Sequence, residues 1–172
     1  MVMQRAEPIV TQDDPVMRKV TGTFFRAVDP AYRDAALEGS RAAGRYSPPN
    51  VPTLYLSSSR DGVAAAMIAH SNERTPELEV LQFDVEADRI IDLRDHEALK
   101  SIGIDPADAA ADWQKVVAGG GSPSSWKVRE TLERVGASGL IDPSRKRPHL
   151  WHLTLFTWNV DGAPVVREIP AR

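Results

Sequence analysis

Thr53-Leu54-Tyr55-Leu56-Ser57 is a short apolar stretch typical of a β-strand, and sequence with helical character follows it directly. Ser59 offers its hydroxyl as the N-cap of an alanine-rich helix over residues 61–72. On both sides of this strand–turn–helix step, the predicted strands and helices interleave unevenly. That order favours an α+β fold, with a mixed β-sheet core flanked by helices, over a doubly wound sheet.

The sequence before this step divides into an arm, a strand and a long loop. Residues 1–18 mix charged residues with two prolines and show no period, which predicts a loosely held arm. Residues 20–28 are rich in β-branched and aromatic side chains and predict a strand. Residues 29–52 carry several prolines and glycines and predict a long ordered loop with a helical turn near residues 32–37. Such loops are usually functional or disordered.

The sequence after the step predicts the rest of the sheet and its helices. Strands are expected at residues 78–85, 89–93, 138–141, 152–158 and 164–169. Helices are expected at residues 95–102, 106–117 and 124–135, the last two separated by the glycine-rich segment 119–123. We therefore expect a single domain over residues 19–172, preceded by the arm.

The composition excludes several classes of protein. The chain has 172 residues, the size of one domain, and it lacks cysteine, which excludes disulfide scaffolds, thiolate metal sites and cysteine nucleophiles. A net charge of −3 argues against direct nucleic-acid binding. The first residues lack the apolar core of a signal peptide, and no apolar run approaches the ~20 residues that span a bilayer. We expect a cytoplasmic protein without a membrane segment.

The familiar motifs for phosphate binding and nucleophilic catalysis are absent from the sequence, including the dinucleotide-binding glycine pattern, the P-loop and the nucleophile elbow. His149 and His152 are closely spaced but have no carboxylate pattern beside them. No metal site is expected.

Two ordered clusters of residues remain. The first is Gly44-Arg45-Tyr46-x-Pro48-Pro49, followed by Leu54-Tyr55-Leu56 and the alanine-rich helix. The second is Gly139-Leu140-Ile141-x-Pro143-Ser144-Arg145, followed by Leu153-Thr154-Leu155-Phe156-x-Trp158-Asn159. In this order and spacing, the clusters resemble the RES-domain family, the toxins of bacterial type II toxin–antitoxin pairs. The resemblance covers residues 23–159.

The resemblance implies an ADP-ribosyltransferase-like fold that binds NAD⁺ in a cleft, without a metal. Such proteins cleave the nicotinamide–ribose bond and pass ADP-ribose to water, phosphate or a protein acceptor. By the family pattern, Arg45, Tyr46 and Tyr55 bind NAD⁺, and Arg26 fits an earlier basic position. Tyr55 also belongs to the catalytic set, with Ser144 positioning the nicotinamide ribose or amide. These residue types suit the ligand, because guanidinium groups bind diphosphates and aromatic rings stack on nicotinamide or adenine.

The sequence departs from the family pattern at position 66, where the helix carries alanine instead of the family glutamate. A carboxylate beside the ribose is the expected stabiliser of the oxocarbenium character that develops as the bond breaks. His70 lies at i+4 from Ala66 and faces the same way, which makes it a candidate for the catalytic set. Three explanations stay open: an engineered inactivation, a natural carboxylate from elsewhere with Glu38 as the candidate, or a catalytically dead relative.

The family also implies a protein partner, an antitoxin with a helix-turn-helix DNA-binding region that blocks the cleft. Two functions compete with the breakdown of the NAD⁺ pool. One is an inactive module that binds NAD⁺ or the antitoxin. The other is an enzyme that modifies a single acceptor protein.

Overall fold

A computed structural model describes residues 6–12, 14–67 and 77–171. Its strands are β1 (Ile9–Gln12), β2 (Met17–Val28), β3 (Leu54–Ser57), β4 (Glu79–Asp92), β5 (Gly139–Pro143), β6 (Trp151–Leu155) and β7 (Val165–Ile169). Its helices are α1 (Arg60–Met67), α2 (His96–Ser101), α3 (Pro106–Ala110), α4 (Trp113–Ala118) and α5 (Ser124–Arg134), with a 3₁₀ helix at Pro30–Ala35. A mixed sheet flanked by helices confirms the predicted α+β class.

The strands form one sheet in the order β1-β2-β3-β6-β5-β4-β7, and β2 pairs with β4 as well as with β3. The β2–β4 pairing is antiparallel and long, running from Met17 opposite Ile91 to Val28 opposite Glu79. Because β2 holds both β3 and β4, strands β2 to β6 close into a ring. β3, β6 and β5 are consecutive neighbours within it, so residues on these three strands lie side by side.

Alternation along the strands separates two buried clusters on opposite faces of the sheet. The first cluster is made of strand side chains, among them Phe24, Leu54, Leu56, Phe83, Ile141 and Leu153. The second packs the other face against the helices and includes Tyr46, Ile91, Leu99, Ala109, Val128, Leu132 and Leu140. The switch between neighbouring residues, such as Leu140 and Ile141, is the period of two that a strand imposes.

The N-terminal segment is more ordered than the sequence predicted. β1 pairs antiparallel with β2, from Ile9 opposite Thr21 to Gln12 opposite Arg18, where a loose arm was expected. Three of the four residues of β1 are exposed, so this edge strand carries no apolar alternation that could have revealed it. The prediction of a loosely held segment is wrong for residues 9–12.

The two strands predicted at residues 78–85 and 89–93 are one strand, β4. Arg89 adopts a φ of 54°, and the register against β2 shifts between Arg18 and Val20. An irregularity of this kind bends a strand without ending it. The prediction of two separate strands is therefore wrong, because β4 continues through the irregularity.

The helix predicted at residues 106–117 is two helices, α3 and α4. Ala111 is extended with a ψ of 153°, and the Asp112 side chain then accepts the main-chain N–H of Lys115 to cap α4. The predicted cap of α1 is confirmed, since Ser59 Oγ accepts the N–H of Gly62 at 3.0 Å. The part of that helix predicted at residues 68–72 lies outside the described residues.

Candidate functional site

Arg45 lies in the long loop before β3, and its guanidinium reaches the end of α3. Its Nη1 donates to the main-chain oxygens of Ala109 at 2.9 Å and Ala111 at 3.0 Å. Arg145, in the turn after β5, donates to the same Ala109 oxygen at 3.0 Å. Burial lowers the pKa of Arg45, and the nearby charge of Arg145 lowers it further. Two guanidinium groups therefore meet here, although the predicted site included only Arg45.

Tyr46 and Asp142 both accept hydrogen bonds from Arg145, one of the two arginines of this pair. Arg145 Nη2 donates to Asp142 Oδ1 at 2.9 Å and to the Tyr46 hydroxyl at 3.3 Å. Burial raises the pKa of both acidic groups, while Arg145 opposes the rise. The Tyr46 side chain is 1% exposed and belongs to the second buried cluster. The Tyr46 ring therefore has almost no exposed surface with which to make the predicted contact with NAD⁺.

Tyr55 is half-buried on β3 and joins that strand to the Arg45 loop. Its hydroxyl lies 2.7 Å from Ser47 Oγ and accepts the main-chain N–H of Tyr46 at 3.2 Å. Burial raises the pKa of Tyr55, and the hydrogen bond with Ser47 opposes that shift. The phenol is therefore neutral at neutral pH. Tyr55 thus contacts the loop that carries Arg45, through Tyr46 and Ser47.

A row of polar side chains crosses three neighbouring strands on the same face as Tyr55. Ser57 on β3 is opposite His152 on β6, and His152 is opposite Asp142 on β5. Ser57 Oγ and His152 Nδ1 are 2.9 Å apart. Burial lowers the pKa of His152, and the positive charge of Arg145 lowers it further. This row ends beside the arginine pair.

Helix α1 begins against this polar row. A Cβ built on Gly62 would lie 3.3 Å from Ser57 Cβ and 3.7 Å from His152 Cε1, so this face of the helix contacts the row. Ala66 is one turn farther along the same face, since residues four apart on a helix lie one above the other. Helical side chains also lean back towards the N-terminus. A longer side chain at position 66 would extend towards the polar row.

The sequence associated two other residues, His70 and Glu38, with position 66. His70 lies outside the described residues. Glu38 is exposed in the loop before β3. Ser40, in the same loop, pairs with Thr53, which directly precedes β3. Because α1 follows the opposite end of β3, Glu38 and Ala66 stand at different ends of that strand.

Ser144 is buried in the turn after β5. Its main-chain N–H donates to the oxygen of Leu150 at 2.9 Å, and its Oγ accepts the N–H of Arg147 at 3.3 Å. These bonds hold the turn that carries Arg145. Ser144 therefore lies beside the arginine pair, with its hydroxyl engaged by the main chain.

Arg26 is half-buried on β2. In the part of the chain that the structure covers, its buried Nε has no hydrogen-bond partner. Burial lowers the pKa of Arg26, while the negative charge that Tyr55 would carry opposes the shift. Arg26 is opposite Leu81 of the first buried cluster, whereas Tyr55 packs against the second, so the two side chains leave the sheet on opposite faces.

A cavity of about 320 Å³ lies beside the first turn of α1. It is bounded by residues 6–8, Thr23, Phe25 and residues 58–61, and none of the predicted site residues that the structure describes lines it. The guanidinium of Arg60 lies over the Phe25 ring at 5.2 Å from its centroid. This cavity is separate from the arginine pair.

Residues 6–12, 14–67 and 77–171 contain neither a metal-binding cluster nor a membrane-spanning helix. No three His, Asp or Glu side chains there are grouped closely enough to hold a metal ion. No helix in those ranges has the length and apolar character needed to cross a bilayer.

Sequence reasoning missed Ser57, Asp142, Arg145 and His152 as members of the site. Asp142 and Arg145 flank the quoted Pro143-Ser144 pair, so a local signal was present. His152 gave no such signal, because only the pairing of β6 with β3 and β5 places it between Ser57 and Asp142.

Comparison with known proteins agrees with this architecture. A search among curated proteins finds no significant match. Among solved structures, this chain resembles a chain of the M. tuberculosis MbcT–MbcA toxin–antitoxin complex, with a TM-score of 0.51 and 18% sequence identity. The match covers 87% of this chain and 84% of that one, and at this identity it concerns the fold. The sequence model of the RES domain matches residues 23–172. This chain therefore belongs to the RES domain family.

Proposed function

We propose that this protein is the toxin of a toxin–antitoxin pair and that its site binds NAD⁺ and acts on the nicotinamide–ribose bond. Membership of the RES domain family supports the proposal, and the structural neighbour is a chain of a toxin–antitoxin complex. ADP-ribose would pass to a protein acceptor, phosphate or water. The partner would be an antitoxin with a DNA-binding region, both proteins acting in the cytoplasm.

The observation that carries the proposal is the meeting of Arg45 and Arg145 at one carbonyl oxygen, that of Ala109. Asp142 neutralises one of the two charges, which leaves a net positive charge at the pair. Among the residues that the structure describes, Arg45 forms no ion pair and donates to main-chain oxygens alone. Guanidinium groups with unused donors suit a diphosphate, which accepts charge-assisted hydrogen bonds.

The rest of the site is suited to the nicotinamide half of the ligand. Tyr55 offers a half-buried ring and a neutral phenol, and Ser57 and His152 offer hydroxyl and imidazole groups. When the bond between ribose C1′ and the nicotinamide nitrogen breaks, both electrons leave with nicotinamide and the ribose becomes an oxocarbenium ion. The acceptor then donates an electron pair to C1′ and releases its proton. A carboxylate at position 66 would stabilise that cation.

Ala66 favours a second candidate function, a module that binds NAD⁺ or the antitoxin without turnover. In the described structure Glu38 does not replace the missing carboxylate, because it lies at the other end of β3. Asp142 is the buried carboxylate of the polar row, but Arg145 already engages it at 2.9 Å. Slow turnover by this chain, despite binding, is the expected consequence of alanine at position 66.

Calorimetric titration with NAD⁺ tests the binding half of the proposal. Arg45→Ala and Arg145→Ala should each weaken binding by about tenfold or more, since a hydrogen bond to a charged group contributes about 1.5–3 kcal/mol. Lys146→Ala is the matched control, because Lys146 is an exposed cation next to Arg145, and no hydrogen bond or ion pair joins it to either arginine among the described residues. Equal affinity in all four proteins, or no binding by the unaltered chain, would overturn the proposal.

A further inference from the structure

We infer that α5 is a clamp that fixes the loop bearing Arg45 in its ligand-binding geometry, with Ser125, Trp126 and Arg129 as positioning residues. The inference rests on the proposed function, because it assigns these residues a role in placing Arg45 for a diphosphate. None of the three was predicted from the sequence as a site residue. Their effect is exerted through Arg45, not through contact with NAD⁺.

Side chains of α5 bind three consecutive carbonyl groups of the loop. Trp126 Nε1 donates to the oxygen of Gly44 at 2.8 Å. Ser125 Oγ donates to the oxygen of Arg45 itself. Arg129 Nη1 donates to the oxygen of Tyr46 at 3.1 Å.

The amide side of the same loop is fixed from β3 and from within the loop. The N–H of Tyr46 donates to the Tyr55 hydroxyl at 3.2 Å, and the N–H of Gly44 donates to the oxygen of Ser47 at 2.9 Å. A Cβ at Gly44 would lie 2.7 Å from the Tyr55 hydroxyl, so the loop packs too closely against β3 for any side chain at this position.

Arg129 joins the two halves of this arrangement. The same Nη1 that donates to Tyr46 donates to Thr53 Oγ1 at 2.6 Å, immediately before β3. Arg129 is 4% exposed, its Nε donates to Glu133 at 2.7 Å, and its guanidinium lies over the Phe156 ring at 4.7 Å. Because Arg129 is buried and its Nε and Nη1 both donate hydrogen bonds, its guanidinium connects α5, the Tyr46 carbonyl and Thr53.

The clamp would restrict the conformations of a loop that has no regular secondary structure. The segment from Ala43 to Pro52 contains Gly44 and three prolines but no regular element, so its backbone depends on the contacts with β3 and on the hydrogen bonds from α5. Ordering a mobile loop when a ligand binds weakens affinity, whereas a loop that is already fixed avoids that loss. Fixing the three carbonyl groups therefore places the Arg45 side chain before the ligand arrives.

Removal of single donors tests the clamp. Trp126→Phe keeps the ring and removes the N–H, and Ser125→Ala removes the hydroxyl. Each should weaken NAD⁺ binding by roughly three- to tenfold, as measured by calorimetry, and should speed amide hydrogen exchange in residues 44–47. Trp158→Phe is the matched control, because Trp158 Nε1 donates at 2.8 Å to the carbonyl of a different loop residue, Leu37. It should leave both measurements unchanged.

A double-mutant cycle separates positioning from general stability. If the clamp acts through Arg45, Trp126→Phe should have no further effect on NAD⁺ affinity in an Arg45→Ala background, whereas a purely structural effect would add. Additive effects, or unchanged affinity in both single variants while the unaltered protein binds NAD⁺, would overturn the clamp. Failure of the unaltered protein to bind NAD⁺ would instead overturn the proposed function, and the clamp's role with it.

Discussion

Arg45 and Arg145 donate to the same acceptor, the main-chain oxygen of Ala109, at 2.9 and 3.0 Å. Burial lowers the pKa of Arg45, and because like charges repel, the charge of Arg145 lowers it further. The two guanidinium groups stay close because α3 supplies a carbonyl oxygen that accepts from both. Asp142 and Tyr46 fix Arg145 by accepting further hydrogen bonds from it. An anion bound between the guanidinium groups would relieve the repulsion.

The salt dependence of binding follows from this pairing. Raising the ionic strength from 0.05 to 0.5 M should weaken the affinity of the unaltered protein for NAD⁺, because salt screens partly exposed charges. Arg145→Ala should show a smaller slope of log Kd against log salt than the unaltered protein. Titrations at four salt concentrations would measure both slopes. Identical slopes would show that Arg145 does not face the ligand.

Gly44 should tolerate no side chain. In Gly44→Ala the new methyl group would meet Ser47 Oγ and the Tyr55 hydroxyl, each at 2.7 Å, so one of them must move. We expect a loss of about 1–3 kcal/mol in the free energy of unfolding by urea, the usual range for overpacking. Gly119→Ala is the control, because its nearest neighbour would be the oxygen of Lys115 at 3.5 Å. Equal stability of the two variants would contradict the close packing of the loop on β3.

The sequence predicted what depends on neighbouring residues and missed what depends on strand pairing. The step from β3 to α1 was predictable, because Ser59 caps the helix within four residues of the strand. The grouping of Ser57, His152 and Asp142 was not, because it requires β6 to lie between β3 and β5. The strands predicted at residues 138–141 and 152–158 carry no signal that identifies their neighbours in the sheet.

The burial of particular side chains was equally hard to predict. Tyr46 follows Arg45 directly, yet its ring turns into the second buried cluster while the Arg45 side chain reaches α3. The direction depends on α5, whose Arg129 holds the Tyr46 carbonyl. A motif gives the identity of these two residues, and tertiary packing decides which one can meet a ligand.

His152 should make stability depend on pH. Burial lowers its pKa in the folded state below the usual value of 6.5, so the unfolded chain binds more protons between the two pKa values. Stability should therefore be highest above pH 6.5 and should fall as the pH drops through 6.5 towards the folded-state pKa. Urea denaturation of the unaltered protein and of His152→Gln between pH 5 and 8 would measure this effect.

The control for this measurement is His149→Gln, because His149 is exposed. It should retain the pH dependence of the unaltered protein, whereas His152→Gln should flatten the profile across this window. A profile for His152→Gln that still falls as steeply below pH 6.5 would show that another group is responsible.

Release of nicotinamide from NAD⁺ by this protein and by Ala66→Glu, with water, phosphate or cell lysate as acceptor, tests most directly whether the site acts on the nicotinamide–ribose bond. Ala64→Glu is the matched control, because Ala64 is exposed and Ala66 is half-buried on the same helix. We predict that Ala66→Glu raises the rate by on the order of 10²–10³, as for one electrostatic group in a transition state. Ala64→Glu should leave the rate unchanged. If none of the three proteins releases nicotinamide with any of the three acceptors, the proposed activity is contradicted. Equal rates for the unaltered protein and Ala66→Glu would show that position 66 has no catalytic role.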